Sequence, residues 1–312
     1  MRNRKRTGWH RVINGVSIST FFVALFIGLP LYWIIASSFK TPVSLGTSPP
    51  QYFPNPVSTT NYQQAFSQYN FGVYFRNSLI VTLIATAIVL AVGTLAGYGL
   101  GRLPMRGKFS LMVTLLMISV FPEIALIAPL YLLLRNLGWL NSFQGLIIPY
   151  AAFNLPFAIW ILRNYFLSIP KEMEETGRID GASPLRTVWE IILPQALPGL
   201  FTAAIFCFTA CWTEFLMALT FNSANNYRTI PVGIAEFGTV FTVPYGTIFA
   251  ASVVAVVPIG ILVFIFRKFV ISGLTSGAVK GCPPAAQHAR SHECRPSTWT
   301  KSTRCIQTGS TP

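Results

Sequence analysis

Six apolar stretches recur along the chain, each close to the roughly 20 residues a helix needs to cross a hydrocarbon core. They run from about Gly15 to Ala36, Leu79 to Gly101, Leu111 to Leu134, Gly145 to Leu162, Gly199 to Phe221 and Thr247 to Phe266. The fourth is the shortest and holds Pro149 and Pro156. Prolines 30, 122, 129 and 258 fall inside other stretches. Neighbouring helices or cavity water can satisfy the carbonyls that such prolines free. The pattern predicts an all-α integral membrane protein with six transmembrane helices. So many kinked spans fit a transport path better than a static anchor.

One polar segment breaks this pattern. Residues 169–198 hold Glu172, Glu174, Glu175, Asp180 and Glu190, five of the nine acidic residues in the chain. A helix is predicted near Lys171 to Ile179, then a turn at Asp180-Gly181. A second helix follows, with Ser183 as its N-cap and Pro184 at its first position. Ile179, Val188, Trp189 and Ile192 are expected to supply apolar surface. A compact helix-turn-helix lying along the membrane face suits a groove on a soluble protein, where Glu175 would pair with an arginine. A mere link between two spans would not need this turn chemistry.

Composition agrees with the spans: 52% of residues are hydrophobic and 10% charged, too apolar for a soluble domain of 312 residues. The net charge of +14 admits a nucleic-acid partner. Where the charges fall argues against one. Fifteen Lys and Arg flank the N-terminus, the ends of the second and fourth spans and the end of the sixth. Only Lys40, Arg76, Arg135 and Arg228 lie on the other side. The positive-inside rule therefore places both termini and the 169–198 loop in the cytoplasm. The first apolar run is too long for a signal peptide and reads as a retained span. The Lys40 to Asn77 segment is polar, aromatic and proline-rich, either folded at the outer mouth or against a docking protein, or a solvated connector.

No catalytic set appears. A Gly-Lys-Ser/Thr phosphate loop is missing, so the chain is not expected to hold nucleotide itself. Cys207 and Cys211, one turn apart, read as packing residues. Beyond Gly281, two Cys and two His fall in the order Cys282, His288, His292, Cys294, which fits no common zinc spacing. That tail, 282–312, reads as disordered, and no metal site is expected. Two acids lie inside spans, Glu123 and Glu214, and an intramembrane carboxylate is costly enough to suggest function. With Trp160 and Trp212 they are candidates for a translocation path. A hydrogen-bonded structural acid is the alternative for each.

The 169–198 segment also carries a resemblance. Glu175-x-x, three residues, Gly181, nine residues, then Ile191-x-Leu193-Pro194 is similar to the EAA loop of ATP-binding-cassette importer permeases. Asn77-Ser78, Trp212-Thr-Glu214-Phe215, Pro231-Val-Gly233 and Gly273 to Gly281 add to it. Over roughly residues 15–281 the chain resembles the smaller permease of the maltose-type carbohydrate importers, with a core domain near 74–267 after a basic N-terminus of 1–14. The resemblance implies a type-1 importer permease fold and a sugar cargo. It implies coupling through Glu175, Thr176, Gly177, Asp180, Gly181, Ala182, Ile191, Leu193 and Pro194. It further implies a second permease subunit, two cytoplasmic ATPase subunits holding ATP and Mg, and an extracytoplasmic sugar-binding protein. This chain would be a transport subunit of the bacterial or archaeal cell membrane, without cofactor or enzymatic activity. Thr176 and Gly177 replace the two alanines that name the loop, and Gly177 weakens a helix by about 1 kcal/mol relative to Ala. An ion-gradient-driven secondary transporter is the alternative; it predicts inverted repeats, which the sequence does not display.

Overall fold

Helices follow the apolar runs because a chain in hydrocarbon must satisfy its backbone N–H and C=O groups internally. The computed structural model describes residues 6–183, 186–238 and 242–278, and every element in them is helical. In order these are α1 (Arg6–Ser38), α2 (Pro42–Leu45), α3 (Thr60–Ser67), α4 (Phe71–Arg102), α5 (Lys108–Val120) and α6 (Glu123–Asn136). Then come α7 (Gln144–Ser168), α8 (Glu172–Ile179), α9 (Leu193–Thr213), α10 (Leu216–Phe221), α11 (Ile230–Ala235) and α12 (Tyr245–Ala278). A π-helical turn, Thr187–Ile192, leads into α9. Residues to Gly273 form one compact unit; of a second, Leu274–Pro312, the described part is helical. The expected disordered tail 282–312, Met1 to Lys5 of the basic N-terminus, and the Pro184 helix start lie outside the described residues.

Among the described residues, five stretches are long and apolar enough to cross a membrane: Ser17–Ser38, Phe71–Arg102, Gln144–Ser168, Thr187–Thr213 and Tyr245–Arg267. The sixth departs from the sequence expectation. The run from Leu111 to Leu134 is two helices, α5 and α6, bent by 88°. Phe121 and Pro122 are extended, and α6 restarts at Glu123. Proline cannot donate to the carbonyl four residues back, and it disfavours a helical conformation in the residue before it. Arms of 13 and 14 residues are each about 20 Å long, so neither crosses a core of about 30 Å alone.

The fifth span is shifted as well. Its helix ends at Thr213, where Glu214 turns extended, and α10 is a separate short helix. At its other end the span begins as early as Thr187, so the second arm of the 169–198 loop is the first turn of the span. Pro194 lies at the start of α9, and the π-turn precedes it, the Leu193 N–H donating to the Val188 carbonyl five residues back. A wider turn accommodates a proline that a straight α-helix would not.

The central seam is α4 against α7. Gly93, Gly97 and Gly101, four residues apart, let the backbones approach closely, the small-residue device of membrane helix pairs. A Cβ on Gly97 would lie 3.0 Å from the Leu162 Cβ and 3.1 Å from the Arg163 amide nitrogen. At Gly93 it would lie 3.3 Å from a Leu162 methyl, and at Gly101 3.4 Å from the Phe166 Cβ. Near the 169–198 end, Leu162, Phe166, Ile169, Ile192, Ala196 and Ala203 form one buried cluster.

At the opposite end polar side chains hold the loops. The Asn77 amide donates to the Asn226 and Arg228 carbonyls at 2.8 and 3.0 Å, and Ser78 Oγ accepts from the Ile230 N–H at 2.8 Å. The Lys40 to Asn77 segment folds onto the helices. The Asn61 amide donates to the Ser38 and Lys40 carbonyls, and Tyr52 sits edge-on to Trp33. Lys40 is buried, its ammonium 3.9 Å from the Trp33 ring centroid, and burial lowers its pKa below the usual lysine value. It is thus a packed cation rather than a solvent-exposed one. In contrast α1 leaves Ile18, Phe21, Phe22 and Phe26 exposed, an apolar surface suited to lipid.

Candidate functional site

Three acids in the first turn of α8, Glu172, Glu174 and Glu175, oppose the positive end of its dipole. Its far end closes in a Schellman bond: the Ala182 N–H donates to the Gly177 carbonyl at 2.9 Å. Gly181 has φ +76°, a conformation that favours glycine. The returning chain is capped by Ser183, whose Oγ accepts from the Arg186 N–H at 3.3 Å. Gly177 is buried where the arms meet; a Cβ there would lie 2.7 Å from Ile191 Cδ1 and 3.4 Å from the Thr187 side chain. The glycine that weakens the helix therefore also lets the two arms touch.

Glu175, Thr176, Asp180 and Gly181 are exposed, with Ala182, Ile191 and Leu193 half-buried and Pro194 exposed. The Thr176 hydroxyl is turned back onto the Glu172 carbonyl at 2.8 Å. Ile179 and Trp189 are 85% and 62% exposed, large apolar side chains presented to solvent beside the acids. Ile192 departs from expectation. It is fully buried against the Leu162 and Phe166 cluster, because the π-turn rotates it into the span rather than outward.

Sequence reasoning missed the group that ties this loop to the bundle. Arg102, the last residue of α4, donates through Nη2 to the Ile169 carbonyl, and its Nε lies 3.3 Å from Glu174 Oε1. Both side chains are largely buried, 4% and 15% exposed. Removing one partner of such a pair costs about 3–5 kcal/mol. The solvent-facing pair Arg186 with Glu190, at 2.7 Å, contributes little by comparison.

The four path candidates do not converge. Trp212 is buried, stacked on Phe208 and edge-on to Phe75, with its indole N–H donated to the Ala255 carbonyl at 3.0 Å. That places it in helix packing rather than on an open face. Glu214 accepts from the Met217 and Ala218 N–H groups at 2.7 and 3.1 Å and from the Tyr150 hydroxyl at 2.5 Å. It caps α10 and pins α7, the structural alternative for an acid in a span. Glu123 is exposed at the α5–α6 elbow, in the first turn of α6. Trp160 is 39% exposed on α7 and stacks on Phe157 at 5.9 Å, with Phe206 edge-on to Phe157. Glu123 and Trp160 thus keep an accessible surface, while Trp212 and Glu214 are committed to the fold.

The profile of the binding-protein-dependent transport system inner membrane component matches residues 93–276. The chain belongs to this family. It is 37% identical over 268 residues to the trehalose/maltose transport system permease protein MalG of Thermococcus litoralis, covering 85% of this chain and 95% of that one. It is 39% identical over 252 residues to the sulfoquinovosyl glycerol transport system permease protein SmoH of Agrobacterium fabrum, covering 81% and 88%. A bacterial ABC transporter involved in the import of the acidic polysaccharide alginate shares its fold. The TM-score is 0.73 at 21% identity, over 86% of this chain and 99% of that one.

As a member of this family the chain is a multi-pass inner-membrane permease of an ATP-driven importer, a transport subunit and not a secondary transporter. The Glu214 geometry gives a testable consequence. Glu214→Ala should destabilise the permease by about 1–3 kcal/mol, because it orphans two backbone donors and a hydroxyl. Tyr150→Phe should cost less, since it removes one of those three bonds. Thermal unfolding of the purified chain in detergent checks this, and an unchanged midpoint for Glu214→Ala would refute the capping role.

Proposed function

We propose that this permease forms the translocation path of a sugar importer together with a second permease subunit, and that residues 169–198 transmit the motion of two ATPase subunits. Trehalose, maltose and sulfoquinovosyl glycerol stand in the names of three of the similar permeases, and that shared carbohydrate class carries the reading. The geometry supports it in one respect. The loop presents acids beside two exposed apolar side chains, Ile179 and Trp189, on a scaffold tied to the span ends. ATP and Mg would sit on the ATPase subunits, and an extracytoplasmic binding protein would deliver sugar to the opposite end of the bundle. Glu123 and Trp160 are the residues through which this chain would meet the cargo. Carboxylates suit sugar hydroxyls, and an indole face suits a sugar ring.

The test is reconstitution in vesicles with the second permease, the ATPase and the binding protein, supplied with labelled maltose or trehalose. Uptake that needs ATP inside the compartment of the ATPase supports the reading. Uptake of neither sugar would exclude these two as cargo, and uptake that proceeds without ATP would overturn the reading.

Orientation follows from charge. With both termini and the 169–198 loop in the cytoplasm, a cysteine-free variant carrying Val43→Cys should label with an impermeant thiol reagent in intact cells. Ile179→Cys should label only after lysis. Both sites are highly exposed, 80% and 85%, so access and not burial sets the result. Labelling of the Ile179 site from outside would reverse the topology.

A further inference from the structure

From the Arg102 geometry we infer that this residue is a positioning residue for transport: it latches the 169–198 loop to α4, so that loop and helix move as one body. The inference rests on the loop being the element that the ATPase moves. One guanidinium grips two successive parts of the loop, the Ile169 carbonyl at its root and Glu174 in α8. Arg102 Nε and Glu174 Oε1 are within ion-pairing distance but not aligned as a hydrogen bond. Their burial keeps the attraction from being screened by salt.

What the latch holds matters as much as the latch. α4 is one continuous helix of 32 residues, about 48 Å long at 1.5 Å per residue. Along its length the glycines at 93, 97 and 101 bring it into backbone contact with α7, whose end at Ser168 feeds directly into the loop. At its far end Asn77 and Ser78 hold the segment from Asn226 to Ile230. Displacing α8 with the latch closed therefore displaces a strut that reaches the opposite end of the bundle. With the latch open, α8 keeps its link to the bundle through the backbone at Ile169, the Gly177 contact with Ile191 and the shared start of the fifth span. The loop can then still be engaged by an ATPase, but less of its motion reaches α4.

The experiment uses the full transporter in vesicles and reads three quantities: ATPase co-purification, ATP hydrolysis and sugar transported per ATP. Arg102→Gln and Glu174→Gln should each leave co-purification near the native level and lower transport per ATP about tenfold, within the roughly 5–150-fold range of intersite coupling. Arg102→Lys should fall between them and native. The double variant Arg102→Glu with Glu174→Arg should recover part of the loss, because it restores the ion pair but not the bond to the Ile169 carbonyl; separate roles for the two side chains would give no recovery. Unchanged transport per ATP in Arg102→Gln would overturn the latch. Loss of co-purification in Arg102→Gln would also overturn it, because the pair would then only fold the docking surface. The Glu175→Arg variant, run in parallel, bears on docking alone. If it keeps the ATPase bound, the docking contact of Glu175 fails while the Arg102 arms still report on the latch.

Discussion

Glu175→Arg should abolish ATP-coupled uptake, lowering it about a hundredfold or more, while leaving the protein in the membrane in normal amount. Glu175 is exposed in the first turn of α8 and has no side-chain partner among the described residues, so reversing its charge disturbs nothing inside the chain. The loss is expected at the interface. Losing one partner of a hydrogen-bonded charge pair there costs about 2–5 kcal/mol, and a reversed charge adds repulsion. Gly181→Pro should reach the same result by another route. Its φ of +76° is closed to proline, whose ring fixes φ near −65°, so the turn joining the arms would be rebuilt. Sugar uptake and detergent co-purification with the ATPase are the measurements. Native values for both variants would remove the loop from the coupling mechanism.

The second large effect is expected at the seam. Gly97→Leu should prevent α4 from reaching α7 and leave little monodisperse protein, because the new Cβ meets the Arg163 amide nitrogen at 3.1 Å, backbone that cannot swing aside. Overpacking costs about 1–3 kcal/mol even where side chains can adjust, and more where they cannot. Gly260→Leu in α12 is the matched control, since a Cβ there has nothing within 4 Å. Size-exclusion profiles and melting temperatures of the two variants decide the matter. A Gly97→Leu protein as stable as Gly260→Leu would show that the seam tolerates separation.

Much of this architecture is legible in the sequence because hydropathy reports burial in lipid directly. Hydropathy is silent about direction, however. The Leu111 to Leu134 run is apolar throughout, and the 88° elbow at Phe121-Pro122 is visible only as one proline among many that do not break their helices. Pro149 and Pro156 lie inside an unbroken α7. The loop was readable from the spacing of Glu175, Gly181 and Ile191 to Pro194. Its attachment was not. Arg102 is accounted for at once as a topology charge, and nothing in the sequence pairs it with Glu174 seventy-two positions on. A signal for the seam did exist: Gly93-x3-Gly97-x3-Gly101 is a small-residue stripe within an apolar run. Trp212 and Glu214 were open to two readings for a physical reason. A polar group inside a span must find a partner, and a capping site satisfies that need as well as a ligand does.

The glycine seam also has a consequence for how the molecule is made. α4 and α7 are not neighbours in the chain; residues 103–143, with the whole elbow, separate them. Synthesis proceeds from the N-terminus. α4 therefore enters the bilayer with its glycine stripe facing lipid, and the stripe is covered only once α7 has followed. The α5–α6 elbow has to be accommodated during that interval, before the pair that dominates the finished bundle exists. Biogenesis of this permease thus passes through a stage in which the most extensive helix pairing among its described residues is still an open groove.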